Sequence, residues 1–252
     1  MTLQDFPFIV SLLSLAVLGL AVAAGGFIAR KLRPVPNESR DDLNLVTNAS
    51  LTLLALIIGF SFSMALGRYD QRKNYEEEEA NAIGTEYARA GLLPANDAMK
   101  VRMLLSQYLD QRVLFYTVRD SVRLTSIANE TTRLQNEMWS IVERAANAQP
   151  SGPMAVAVSG MNDVLNREGY TQAAWWYRIP FGAWGIMIVL SVCCCFLIGY
   201  GQHRRGPLIT IVIPSLVAIS FFFIADIDSP RKGVIRVAPL NLISLSQSLH
   251  TH

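Results

Sequence analysis

Four stretches of the chain are long and apolar enough to cross a lipid bilayer as helices. They run from Phe6 to Ala29, Leu45 to Leu66, Ile179 to Tyr200 and Leu208 to Ala225. A membrane-spanning helix needs about 17–25 mainly apolar residues, and each stretch has that length. The pattern therefore predicts a multi-pass membrane protein with four spans, whose ends lie on the same side of the membrane.

The segment between the second and third spans has the periodicity of soluble helices. Apolar residues recur every three or four positions in Asp97–Val122, in Thr125–Ala148 and again from Met154 to Leu165. The sequence QPSGP at 149–153 separates the last two of these helices. Each apolar stripe is expected to face a core, and no strand alternation is visible.

We therefore predict an all-α fold in which a large helical insert interrupts a four-span membrane part. An aromatic-rich segment, Tyr170–Arg178, is typical of the point where a chain enters a bilayer. The predicted organisation comprises spans 1 and 2, the helical insert, spans 3 and 4, and a C-terminal tail, at residues 1–67, 68–178, 179–226 and 227–252.

The second span has no proline at its end and runs directly into charged sequence. From Leu45 to Gly91 there is no proline, so one helix of about 70 Å is predicted, at about 1.5 Å per residue. The charged half ends in four consecutive glutamates. Glu78 and Glu79 have no oppositely charged residue four positions away. They either face water, the simpler expectation, or meet a group from another segment or subunit.

Two neighbouring stripes follow the helical repeat inside the second span. A stripe of small or polar residues is typical of close helix packing, although it could also border a water path. A second stripe carries bulkier apolar side chains. The small stripe comprises Asn48, Thr52, Ala55, Gly59 and Ser63, and the bulky stripe Leu53, Leu56, Phe60 and Met64.

Charge and composition exclude several classes of function. The net charge of +2 is too small to indicate a nucleic-acid partner. One predicted side of the membrane has six basic residues near the spans and the other has seven. The distribution of basic residues therefore does not decide the orientation of the chain in the membrane. The three cysteines are consecutive, at 193–195, and are expected to be apolar residues of a membrane helix. No catalytic, cofactor-binding or metal-binding motif is visible, so an enzyme is not predicted.

Several motifs resemble those of the bacterial bestrophin-like membrane proteins, which are distant relatives of the bestrophins. The motif IIGF at 57–60 is followed by Arg68-Tyr69-Asp70 and Arg72, as the second membrane helix of that group shows. The octapeptide EEANAIGT at 78–85 and the segment ADIDSPRKGVIRV at 225–237 also fit that group. The resemblance extends over nearly the whole chain.

The resemblance implies a pentameric ion channel of the bacterial inner membrane, with a cytoplasmic insert and cytoplasmic termini. Its partners would be the lipid bilayer, other copies of the chain and permeating ions. The bestrophin neck corresponds here to Thr52, Leu56 and Phe60, with Thr52 departing from the apolar pattern. Glu78 and Glu79 would border a wet vestibule beyond the neck. The alternative function is a non-conducting membrane scaffold or sensor whose insert binds a partner.

One further departure concerns calcium. Calcium-activated bestrophins have a dense acidic cluster after the fourth span, whereas this chain has only Asp226 and Asp228 there, followed by Arg231 and Lys232. Two carboxylates are too few for the six to eight oxygen ligands that calcium takes. We expect both aspartates to cap backbone groups or to pair with the nearby cations.

Overall fold

The computed structural model describes residues 6–31, 37–201 and 207–250. Within these ranges every regular element is helical, which confirms the predicted all-α fold. A 3-10 turn, Ala90–Leu92, follows the second helix. The helices are α1 (Pro7–Lys31), α2 (Asn37–Arg89), α3 (Ala95–Thr117), α4 (Ser121–Ala148), α5 (Gly152–Trp176), α6 (Phe181–Tyr200), α7 (Pro207–Asp228) and α8 (Leu240–His250).

Four helical segments of the described chain are long and apolar enough to cross a membrane, as predicted. They are α1, the segment Asp41–Leu92 that contains most of α2, the segment Gly152–Tyr200 that contains α6, and α7. In each segment, at most 33% of the most apolar stretch is buried within the chain. Most of their apolar surface is therefore left for lipid or for other protein surfaces.

The prediction of one uninterrupted helix through the second span is confirmed. Helix α2 has 53 residues and continues through the charged sequence to Arg89. Its start is earlier than predicted, because residues 37–44 are helical rather than part of a loop.

The chain forms two compact units. Unit 1 comprises Met1–Tyr69 and Arg178–Arg236, and unit 2 comprises Asp70–Tyr177 and Val237–His252. In unit 1, α1 packs against both α6 and α7 around a core of apolar side chains. Cys194 and Cys195 belong to this core, as expected of apolar residues, whereas Cys193 is exposed.

Two glycines allow α1 and α6 to touch through their backbones. A Cβ atom added at Gly25 would lie 2.1 Å from the carbonyl oxygen of Phe196, and one at Gly199 would lie 2.0 Å from that of Val22. Residues 10–18 of α1 line one groove with residues 181–192 of α6, whereas the glycine contacts lie farther along both helices, so α1 and α6 are parallel. Small residues permit this close approach, which is a main source of helix association in membranes.

Unit 2 is built from α3, α4 and α5, with α8 packed on α3. The predicted apolar stripes form its core, and Leu105, Leu134, Val142 and Met161 are fully buried. Helix α3 ends five residues before its predicted end. The carboxylate of Asp120 then starts α4 by accepting a hydrogen bond from the Arg123 amide at 2.8 Å.

Sequence analysis missed helix α8. We predicted residues 227–252 as a tail, but Leu240–His250 is helical and belongs to unit 2. Its inward residue Leu242 is completely buried. A helix of 11 residues is marginal alone and depends on the surface that receives it, so its own periodicity is a weak signal.

We expect Gly25→Ala and Gly199→Ala each to destabilise the protein, because the added methyl group would overlap backbone atoms. Overpacking of this kind costs about 1–3 kcal/mol. Gly19→Ala in α1 is the matched control, since nothing lies within 4 Å of a Cβ added there. Thermal unfolding in detergent should show a lower Tm for the first two variants and an equal or higher Tm for Gly19→Ala, since alanine favours helix. Equal Tm values for all three variants would contradict the packing described.

Candidate functional site

The residues that the resemblance assigns to a neck share one face of α2 in unit 1. Leu56 is 52% exposed and Phe60 is 60% exposed, and Thr52 is exposed as well. At about 100° per residue, these three positions point away from the buried side of the helix, which includes Leu54 and Ser61. Within one chain this face is therefore open to a pore, to lipid or to another copy.

The small stripe next to this face is also exposed. Nothing lies within 4 Å of a Cβ added at Gly59, so no helix packs closely at that position; Ala55 and Gly59 instead border a groove toward α7. Gly25 and Gly199, by contrast, bring the backbones of α1 and α6 into contact. Thr52 donates its hydroxyl to the carbonyl oxygen of Asn48 at 2.9 Å. Its polar group is thus satisfied within the helix, which reduces its departure from an apolar neck.

The acidic run of α2 meets other helices of unit 2. Glu76 is buried and accepts hydrogen bonds from the backbone amide of Leu242 at 2.9 Å and from the side-chain amide of Asn241 at 2.7 Å. Both donors lie in the first turn of α8, where unpaired backbone N–H groups attract a carboxylate. Glu76 therefore attaches α8 to α2.

Glu79 forms the centre of a buried charge network. Its carboxylate pairs with the guanidinium of Arg112 from α3 and accepts a hydrogen bond from the hydroxyl of Thr171 in α5 at 3.1 Å. Arg112 also lies 3.6 Å from the carboxylate of Glu168 and 4.5 Å from the centre of the Phe115 ring. Glu79 and Arg112 are both almost completely buried, so both charges are shielded from water.

Burial and pairing shift the pKa of four groups in and around this network. Burial opposes the charge of Arg112, but Glu79 and its other acidic neighbours more than offset this and raise the pKa of the guanidinium. Burial raises the pKa of Glu168, with Arg112 opposing the shift. Burial likewise raises the pKa of Tyr108 and Tyr116, so both remain neutral phenols.

Glu78 occupies a different environment from Glu79. It pairs with Arg167 of α5, and the two side chains are 43% and 37% exposed. An exposed pair of this kind contributes little to stability. Thus both glutamates meet groups from other segments, and the simpler expectation of a solvated face is wrong for Glu79. Of the two vestibule candidates, only Glu78 presents its carboxylate to solvent within the chain.

Glu86 is a buried carboxyl group in the last turn of α2. Its side chain has no solvent exposure, and neither oxygen has a hydrogen-bond partner among the described residues. A Cβ added at Gly160 of α5 would lie 2.0 Å from one of these oxygens, so the glycine leaves room for the carboxylate of Glu86. Burial raises the pKa of Glu86 to about 8; Arg89 opposes this shift and Asp163 adds to it.

The two aspartates after α7 hold backbone groups, as expected. Asp226 accepts hydrogen bonds from the amides of Val234 and Ile235 at 2.7 and 2.8 Å. Asp228 accepts from the amide of Ile179 at 3.2 Å, at the start of the third span. These carboxylates therefore close the turn after α7 and attach it to α6, which accounts for their burial.

Sequence reasoning missed Arg112, Thr171 and Glu86 as members of the polar core. Arg112 did give a signal, since it stands between Tyr108 and Phe115 on the apolar stripe of α3. A cation at a core position of a stripe predicts a buried partner, because an unpaired charge is costly there. Thr171 and Glu86 gave no comparable signal, since both residue types are ordinary on exposed helix surfaces.

The fold and the site define a multi-pass helical membrane protein with a charge-stabilised helical insert. The family model described as Bestrophin-like domain matches residues 15–242. The protein therefore belongs to the bestrophin-like family, as its motifs indicated.

Solved structures support the same fold. A bacterial bestrophin homolog from Klebsiella pneumoniae is similar at 13% identity and a TM-score of 0.67, with 97% of each chain covered. One variant of that homolog matches at 13% identity and a TM-score of 0.65, over 97% of this chain and 98% of that chain. Another matches at 12% identity and 0.66, over 96% of this chain and 94% of that chain. No curated protein sequence matches the chain.

We expect Arg112→Met to destabilise unit 2 strongly. The substitution keeps an apolar stem but leaves Glu79 buried without its cation, which costs about 3–5 kcal/mol. Adding Glu79→Met should recover part of the loss, because the unpaired charge is then removed. Arg133→Met is the control, since its pairs with Glu130 and Glu137 are exposed. Denaturant unfolding followed by circular dichroism tests this order, and equal losses for Arg112→Met and Arg133→Met would contradict it.

We expect the stability of the protein to depend on pH through Glu86. Its pKa is raised from 4.5 to about 8 in the folded state. Between these values the folded state holds a proton that the unfolded state releases, so the free energy of unfolding falls as pH rises and levels off above about pH 8. Glu86→Gln cannot ionise and should lose this part of the dependence. Parallel Tm–pH curves for both proteins between pH 5 and 9 would refute the assignment.

Proposed function

We propose that the chain forms an oligomeric ion channel in a bacterial inner membrane, with α2 lining the pore. One observation carries the proposal: Leu56 and Phe60 form an exposed apolar face on the side of α2 opposite its buried residues. Family membership supports assigning that face to the neck. Thr52 forms the outer end of the same neck.

The neighbouring residues favour a pore over plain lipid contact. A lipid-facing side of a span is apolar throughout, because polar groups are costly in hydrocarbon. The exposed side of α2 instead places Asn48 and Ser63 close to the neck residues. Water on this side satisfies the polar groups, and Leu56 and Phe60 narrow the wet path to a hydrophobic constriction.

The rest of the proposal follows from the family. We propose a symmetric pentamer, with the insert and both termini in the cytoplasm. Helix α2 carries the neck in its first half and Glu78 in its second half, where Glu78 borders the vestibule. Glu79 contributes to the vestibule indirectly, since it fixes α2 to α3 and α5 through Arg112 and Thr171.

We expect Leu56→Ala with Phe60→Ala to increase ion conduction. A narrow apolar ring excludes ions because water leaves it and an ion would lose its hydration, so shortening the side chains readmits water. The measurement is current across planar bilayers in symmetric potassium chloride, with size-exclusion chromatography reporting the oligomer. The expected result is more current from an intact oligomer.

Leu12→Ala with Phe27→Ala is the matched control for this test. Both residues are exposed on α1, at 73% and 66%, and outside the proposed neck. This variant should conduct like the unmodified protein. A neck variant that is silent and less stable would instead show that the two side chains pack in a dry contact. That outcome would favour the non-conducting scaffold.

A further inference from the structure

The chain leaves α7 through a turn that meets the ends of two other spans. We call residues 229–236 the post-α7 turn. The carboxylate of Asp228, the last residue of α7, accepts a hydrogen bond from the amide of Ile179, just before α6. The ammonium of Lys232 in the turn lies 3.9 Å from the centre of the Phe6 ring, immediately before α1. Three span ends meet here, so the post-α7 turn lies at one surface of the membrane.

Contacts with the end of α7 restrain the backbone of the post-α7 turn. The buried carboxylate of Asp226 accepts hydrogen bonds from the amides of Val234 and Ile235. A Cβ atom added at Gly233 would lie 2.3 Å from the carbonyl oxygen of Asp226, so only glycine allows the chain to pass this close. The side chains that the turn exposes are therefore presented by a defined backbone.

The post-α7 turn exposes apolar and basic side chains next to each other. Val234 and Ile235 are 67% and 38% exposed, and Lys232 and Arg236 on either side of them in sequence are exposed as well. Residues 229–236 include no acidic residue. This combination suits the boundary between membrane and water, because the apolar groups reach hydrocarbon while the charged ends of the basic side chains stay among the headgroups.

We propose that the post-α7 turn binds the headgroup of an anionic phospholipid, with Lys232 and Arg236 at the phosphate and Val234 and Ile235 at the acyl-chain boundary. The positive charge of the turn favours an anionic over a zwitterionic headgroup. A contact with a second copy of the chain would have to supply acidic partners for both cations, whereas lipid phosphates already lie at this depth. The proposal requires only that the spans lie in a bilayer and does not depend on ion conduction.

Lipid titration tests the recognition of the headgroup. The whole protein in detergent is titrated with dioleoyl phosphatidylglycerol, and the bound lipid is counted by native mass spectrometry. Lys232→Gln with Arg236→Gln should raise the apparent Kd roughly thirtyfold, the change that corresponds to about 2 kcal/mol from two basic residues near an anionic surface. The unmodified protein should bind dioleoyl phosphatidylcholine, which has the same acyl chains, more weakly than phosphatidylglycerol.

Two further variants separate headgroup recognition from other effects of the substitutions. Lys100→Gln with Arg144→Gln removes two exposed basic residues of unit 2 and should leave the Kd unchanged. Lys232→Arg with Arg236→Lys keeps both charges of the turn and should bind phosphatidylglycerol like the unmodified protein.

Quenching by brominated lipid tests the depth of the turn. Val234→Cys is labelled with bimane in a protein that carries Cys193→Ser, since Cys194 and Cys195 are buried and are not expected to react. Fluorescence is measured in phosphatidylglycerol vesicles brominated near the ester end of the acyl chain, and we expect strong quenching. Val156→Cys is the matched control, because Val156 is an exposed valine of unit 2, and its label should remain unquenched.

Three results would overturn the proposal. An equal Kd for the two double glutamine variants would show that the turn does not bind the headgroup. Equal affinity of the unmodified protein for the two lipids would show that charge selects nothing. Absence of quenching at Val234→Cys would place the turn in water or, if the label also changes the oligomeric state, against a second copy of the chain. Size-exclusion profiles of every variant exclude misfolding as the cause.

Discussion

The buried ion pair between Glu79 and Arg112 holds unit 2 together around α2. Two charges removed from water are stable only when they meet each other in good geometry and when their remaining hydrogen-bonding groups are used. Thr171 and Glu168 of α5 provide those further contacts. The pair thus fixes α2, α3 and α5 in one arrangement. Apolar packing alone would specify that arrangement less strictly. Glu76 adds α8 to the same centre through the amide of Leu242.

Helix α2 can cross from apolar to charged sequence because it keeps one buried side throughout. In unit 1 that side carries Leu54, Ser61 and Ala65, and in unit 2 it carries Glu76 and Glu79. The spacing of three, four or seven residues is the same in both parts, so the helix needs no break. Only the chemistry of the contact changes, from van der Waals packing between spans to charges that meet partners on other helices.

The four spans, the single long helix and the helices of the insert could all be predicted, because length and periodicity reflect burial directly. The position of Glu79 could not be predicted. Its neighbours in sequence indicate an exposed charged surface, and only the arrival of Arg112 from α3 makes burial possible. Helix α8 was missed for a similar reason, since its stability depends on Glu76, 165 positions away from Asn241. Asp226 and Asp228 were predictable as caps because their partners are local.

The backbone contacts at Gly25 and Gly199 have a consequence for the opposite end of the same two helices. They join the parallel helices α1 and α6 near their C-terminal ends, while the groove with Trp184 lies toward their N-terminal ends. The two helices thus touch in one half of the membrane and leave space in the other. The packing of α1 against α6 is thus asymmetric across the membrane, with backbone contact in one half and an open apolar groove in the other.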